Sequence, residues 1–430
     1  MVLTSDIVSA QLIFQNLNNV AIEIEAPVTS GLKKIYVLPY IDGVGIGVEN
    51  VDAKWQRFSA MGAAYAEDVE SVNDGNTSLL RKPEGNVGYA VTIDGKTDYY
   101  WIVNHSAYPF ALRDINLNPA DSDCLTSFLN VDGEGERIPY YSITGLPQWL
   151  DRGLELTYST LEFDKENFAY IQIEKTEIIN GFSDEIIHCT APLCQTDFTL
   201  VGDRFLKQWG QAETVTSPVY DPTSVAMETR ATQTPRENDN EIKVESALGG
   251  SGPVEITFEG AVSDAAIFHE WEMARDADFQ QIFMRSPELE FTYTFREQGT
   301  VYVRMTVAND DGTCETSGET YEVFVGESQL KCPNAFSPGT SPGVNDEWKV
   351  SYKSIIEFEC HIFDRQGRRL AHLTEPSQGW DGKRGGKTVG PGVYFYVIHA
   401  KGADGKNYNL SGDINVIGHT QRKTTNDATE

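Results

Sequence analysis

The chain is short of cations: 34 Lys and Arg stand against 64 Asp and Glu in 430 residues, a formal net charge of −30. A surface that acidic repels phosphate backbones and anionic headgroups, which excludes nucleic acid as a main partner. No apolar run reaches the roughly 18 residues that a membrane-spanning helix needs, so no membrane-spanning segment is expected. No Cys-x-x-Cys pair occurs, which removes the usual structural zinc motif. Catalytic signatures are missing too. The nearest approach to a nucleophile elbow, Gly249-Gly250-Ser251-Gly252-Pro253, fails at its last position. His269-Glu270 has no second histidine four residues on. His188 and Cys189 are neighbours in a strand-like run, where adjacent side chains point to opposite faces. Phosphate-cradling glycine loops are absent. Asp121-Ser122-Asp123 and Asp310-Asp311-Gly312 read as turns before they read as calcium ligands. The expectation is a non-enzymatic protein with no catalytic residues, no cofactor and no metal site.

Long amphipathic stretches with a 3.6-residue period are lacking as well, while 37 Gly and 18 Pro punctuate short alternating runs. Val20–Glu25 alternates with period two. Tyr89–Ile93, Asp94-Gly95 and Tyr99–Val103 read as a hairpin, because Asp-Gly supplies the positive φ angles that a tight hairpin turn requires. The same grammar predicts hairpins around Asp132-Gly133, Asp311-Gly312 and Asp404-Gly405. The fold class is all-β, a series of sandwiches. Aromatic neighbours such as Tyr99-Tyr100-Trp101 and Tyr140-Tyr141 would fill sandwich cores, or else stack on a sugar or anchor a partner if exposed.

Composition places the boundaries. Residues 1–117 form a first β-module, and 118–236 a second with its linker, Ser217–Asn240 being Thr-, Ser- and Pro-rich without alternation. The sequence leaves open whether these two modules are one larger sandwich. Residues 237–327 form a third module that starts at Glu255-Ile256-Thr257-Phe258 and closes at Tyr321–Val325. Residues 328–420 form a fourth, and 421–430 a polar tail. Charge breaks at the last boundary. From Ser328 onward there are 13 basic and 11 acidic residues, whereas the first 327 residues hold 21 and 53.

Six cysteines, at 124, 189, 194, 314, 332 and 360, allow disulfides in an oxidising compartment. Cys189 and Cys194 enclose only four residues and are a candidate loop-closing pair. Cys314, Cys332 and Cys360 crowd the last third, where a further pairing is expected. Met1–Asp6 has neither the basic start nor the apolar stretch of a secretory signal. Either the chain is cytosolic or its signal has been removed.

The last hundred residues carry an ordered set of motifs. Cys332-Pro333-Asn334-Ala335-Phe336-Ser337-Pro338 is followed by Gly343-Val344-Asn345-Asp346-Glu347-Trp348. Then come Phe363-Asp364-Arg365-Gln366-Gly367, Gly379-Trp380-Asp381-Gly382, Pro391-Gly392-Val393-Tyr394-Phe395-Tyr396 and Gly412-Asp413-Ile414. This set resembles the gliding-motility-associated C-terminal domain of Bacteroidetes (CHU_C), the type B sorting domain of the type IX secretion system. The resemblance implies a cargo that crosses the inner membrane with a cleaved signal. It then crosses the outer membrane through the type IX translocon and stays at the cell surface or enters the medium. It also implies partners, the translocon or outer-membrane attachment proteins, contacted through the C-terminal module. Three departures stand out. Gly339–Gly343 lacks the family's carboxylates, so no cation is expected there. Gln366 replaces a common Trp, and a tail follows the terminal strand at Ile414–Ile417.

The third module, with Trp271 on an early strand, resembles the PKD or immunoglobulin-like modules that precede this sorting domain. The serial arrangement resembles PorA-type surface proteins. The resulting expectation is a cell-surface or secreted protein with a role in surface assembly, motility-related display or envelope signalling. An adhesin for host protein or glycan and a glycan hydrolase are the alternatives, and the surface ligand is unknown.

Overall fold

The computed structural model describes residues 11–18, 20–182, 186–339 and 343–418. The cation expectation for Gly339–Gly343 falls partly, and the tail expectation for 421–430 wholly, outside the described residues. The chain divides into two compact units, Met1–Glu162 with Ile171–Ser224 and Phe163–Tyr170 with Val225–Glu430.

The first unit begins with a six-stranded sheet ordered Ile22–Glu25, Lys34–Leu38, Lys96–Asn104, Val87–Ile93, Lys54–Phe58, Glu67–Val69. The predicted hairpin is there, with Asp94 at φ 50° and Gly95 at φ 79°, the two positive angles a primed turn demands. One face of this sheet packs Tyr36, Leu38, Trp55, Tyr89 and Tyr100 against Ile46 and Leu80 of a four-stranded sheet. The other face packs Ile35, Val37, Phe58 and Trp101 against Ile138, Tyr140, Leu150 and Phe205. Burial on both faces explains why Tyr100–Val103 is a continuous apolar run and does not alternate. The aromatic neighbours Tyr100, Trp101 and Tyr140 are therefore core residues.

The remainder of the unit pairs Ala111–Asn118, Thr126–Glu134 and Ile186–Thr190 in one sheet, across a core of Ile115, Leu129, Leu156, Cys189 and Phe198. The hairpin expected at Asp132-Gly133 is not formed. Thr126–Glu134 runs straight through it, pairing Asp132 with Asp114 and Gly133 with Leu112. A Cβ on Gly133 would lie 2.1 Å from the Ala111 carbonyl oxygen, so this glycine permits close backbone approach at a bulge.

In the second unit the stretch expected to be a linker contains a strand, Met227–Gln233, paired antiparallel with Val254–Val262. The module boundary drawn at 236/237 therefore moves to the start of that strand. Its inward positions are Met227, Thr229, Ala231 and Gln233, too polar and small to register as hydrophobic alternation. Thr229 reaches the Tyr321 hydroxyl at 2.9 Å. The sandwich core gathers Phe258, Trp271, Met305 and Val323, and Trp271 is fully buried against Phe258 and Phe291.

The last module is a five-stranded sheet ordered Ala335–Phe336, Asn407–Val416, Gly392–Gly402, Ile355–Phe363, Arg369–Leu373. Asn407–Val416 and Gly392–Gly402 form the hairpin expected around Asp404-Gly405. The preceding segment is tied to this module. The Asn240 amide donates to the carbonyls of Val350 at 2.7 Å and Pro376 at 2.8 Å, and Asn238 donates to the Tyr352 hydroxyl at 2.9 Å.

Candidate functional site

The motif residues of the C-terminal module converge on one core. Trp348 and Trp380 are far apart in sequence, yet their backbones form an isolated antiparallel bridge with N–H to O=C distances of 2.9 and 3.0 Å. The Trp348 indole donates to the Pro333 carbonyl at 2.7 Å, and that of Trp380 to the Lys383 carbonyl at 3.2 Å, so neither buried N–H is wasted. Ring contacts link Trp348 to Tyr396 at 5.1 Å and Trp380 to both Phe336 and Tyr394 at 5.4 Å. Tyr394 and Tyr396 thus face the core, while Val393 and Phe395 face out at 47% and 43% exposure, as strand alternation requires.

The glycines and turn residues explain themselves in the same way. Gly412 leaves room for the Tyr396 ring, since a Cβ there would lie 2.7 Å from its hydroxyl. Gly382, at φ 70°, sits under Pro338 and Phe336, whose nearest atoms would be 2.9 and 3.1 Å from a Cβ. Asp346 accepts from the amides of Gly339 at 3.0 Å and Gly343 at 2.6 Å, and the Asn345 carbonyl accepts from Ser337 at 2.9 Å. Asn334 holds the terminal strand through its carbonyl, which accepts from the Asn415 amide at 2.9 Å. Asp381 accepts from the Lys383 ammonium at 2.9 Å, and that hydrogen bond, against a smaller burial penalty, holds its carboxyl below the ordinary value. Asp364 closes the turn at Gly367, φ 78°, by accepting from the amides of Gln366 and Arg368. Arg365 is exposed, Phe363 half-buried and Gly392 exposed. Most of the motif is therefore architecture, and the surface it presents is the outer face around Phe363, Arg365, Val393 and Phe395.

The chain carries disulfide-bonded cysteines, as an oxidising compartment allows, but not at the pairings expected from spacing. Cys189 and Cys194 are both buried thiols with no bond between them. Cys189 points into the core of its sandwich, where burial pushes its thiol up to about 12. Cys332 and Cys360 are likewise thiols, and burial followed by the neighbouring Cys332 pushes Cys360 up to about 12. The disulfide-bonded residues are Cys124 and Cys314. His188 is exposed and Cys189 buried, on opposite faces of their strand. Asp123 and Asp311 cap turns: Asp123 accepts from the amides of Leu125 and Thr126, and Asp311 from that of Thr313.

Sequence reasoning missed a buried ionic knot in the first unit. Asp203 accepts from Arg152 at 2.7 Å and lies 2.9 Å from His105 Nε2, and its other oxygen accepts from the amides of Phe205 and Leu206. Arg152 also donates to the carbonyls of Tyr108, Pro109 and Glu136. Burial raises the Asp203 pKa, but the hydrogen bonds from His105, Leu206 and Arg152 outweigh it and hold the carboxyl below the ordinary range. A cleft of about 490 Å³ opens beside Arg152, between Tyr108, Arg137 and Phe182. Nothing in the residue spacing signals this knot, because 105, 152 and 203 meet only through the fold.

Two family models match parts of the chain. Residues 116–217 match the fibronectin type III domain, and residues 330–416 match the CHU_C type IX secretion signal domain. Among solved structures, a tetra-tandem repeat from the extending region of a large adhesion protein is 12% identical, over 89% of this chain and 98% of its own, with a TM-score of 0.21. Dimeric latent PorU from Porphyromonas gingivalis is 10% identical over 75% of this chain and 35% of its own, with a TM-score of 0.16. Fibronectin(III)-like modules of CbhA from Clostridium thermocellum are 13% identical over 44% of this chain and 95% of theirs, with a TM-score of 0.18. No curated protein matches the chain. Residues 330–416 are a CHU_C type IX secretion signal domain, which marks the chain for export to the cell surface or the medium by that route.

Proposed function

We propose that the protein is a non-enzymatic component of the cell surface, held at the exterior of the outer membrane after export, where it serves surface assembly or display. The secretion signal domain at 330–416 carries this reading. The charge division supports it. The near-neutral C-terminal module is suited to docking on the secretion and attachment machinery, while the acidic modules before it repel one another and anionic surfaces. The network beside the cleft also fits a structural role, since each Arg152 nitrogen is already committed to Asp203 or to a carbonyl. The test pairs two measurements. Protease added to intact cells should degrade the chain, and purified protein should leave peptide and glycan libraries uncut. A protected chain, or specific turnover abolished by one carboxylate substitution, overturns the proposal.

A further inference from the structure

We propose that Glu359, His361 and His372 bind a divalent transition-metal ion of the zinc class on the outer face of the secretion signal domain. The strand Ile355–Phe363 alternates, with Phe358, Cys360 and Ile362 buried and Glu357, Glu359 and His361 on the opposite face. Its antiparallel neighbour Arg369–Leu373 places His372 directly across from His361. The two imidazoles lie nearly parallel, with centroids 4.4 Å apart and an interplanar angle of 22°. Both present Nε2 to the same oxygen of Glu359, at 3.3 Å from His361 and 3.0 Å from His372.

Those separations are informative. Two donors each about 2.0–2.1 Å from a tetrahedral zinc centre stand about 3.3 Å from one another. The three ligand atoms here all lie within 4.8 Å of one another, so small side-chain rotations suffice to close around an ion. The donor set, two imidazoles and a carboxylate, suits zinc or copper and not calcium or magnesium, which take oxygen cages. Paired strands hold the backbone of all three residues, so little ordering is left for binding to impose. Glu359 and His372 are exposed, which leaves a fourth position open to water or to a donor from a partner.

The surroundings set the strength. His361 Nδ1 is shielded from solvent and has no hydrogen-bond partner among the described residues, so one ligand lacks the outer support that tight sites have. His399, opposite Glu359 across the next strand pair, is engaged through Nδ1 with Asn409 at 2.8 Å. The expected affinity is micromolar.

The experiment titrates Zn²⁺ into the purified, tag-free full chain against a chromogenic chelator. One ion per chain is expected at pH 7.5. His361→Gln and His372→Gln should each weaken binding by about tenfold or more, and Glu359→Gln by less. Zinc should raise the melting temperature of the parent and not of the double variant His361→Gln/His372→Gln. Melting in chelator, unchanged between parent and variants, shows that the fold is kept. No uptake at 100-fold the expected Kd, or unchanged affinity in the folded double variant, overturns the proposal.

Discussion

Trp380 shows how far a single residue can be read before the fold is known. Its place in a Gly-Trp-Asp-Gly run indicates a buried ring beside a turn, and the structure packs it between Phe336 and Tyr394. Trp380→Ala should cost about 3–5 kcal/mol, a large part of the roughly 5–15 kcal/mol stability of an ordinary domain. Calorimetry should show the transition of the second unit falling while that of the first stays in place. Asp203 lay beyond the reach of sequence, because its partners come from two other segments. Asp203→Asn leaves Arg152 buried without its counter-charge and should cost about 3–5 kcal/mol at neutral pH. The folded carboxyl titrates below its unfolded value of about 3.9. Its contribution is therefore fully present above that value and is lost as pH falls through the folded pKa. Melting of the first unit should drop below pH about 4, and the variant should show a shallower drop over the same window. The cysteines are a third residue-scale case, since spacing pointed to Cys189 and Cys194, which the structure leaves as buried thiols. Alkylation of unreduced, denatured protein should label Cys189, Cys194, Cys332 and Cys360, and leave Cys124 and Cys314 unlabelled until reduction.

At the scale of elements, what was legible depended on how much apolar surface each strand buries. Hairpins such as Val87–Asn104 and Gly392–Val416 announce themselves through Asp-Gly turns flanked by alternation or apolar runs. Asp132-Gly133 carries the same dipeptide and is no turn, because a glycine also serves close backbone approach, and the two uses look identical in one sequence. Met227–Gln233 was illegible for the opposite reason, its inward face being threonine, alanine and glutamine beside one methionine. Its amides pair with Val254–Val262 and should exchange slowly by hydrogen-exchange mass spectrometry, whereas a linker would exchange within seconds. The Glu359–His361–His372 cluster was hidden by register, since only the strand pairing brings residues 361 and 372 face to face.

For the whole molecule, the order of motifs from Pro333 to Gly412 carried more than any single one, because together they describe one folded object. That object is the secretion signal domain at 330–416. The chain before it was legible as serial β-modules, while their edges were not, because Asn238 and Asn240 lie in a polar stretch yet bond to the C-terminal module. Removing that module deprives these side chains of partners, so a truncated chain must be shown to melt cooperatively before its location is interpreted. With that control, the central claim reduces to fractionating cells that express either the full chain or a chain ending at Gly326. The full chain should appear at the surface or in the medium only when the type IX translocon is functional, and the folded truncated chain should remain in the periplasm. Truncated protein reaching the exterior at the level of the full chain would contradict the assignment of the address to residues 330–416.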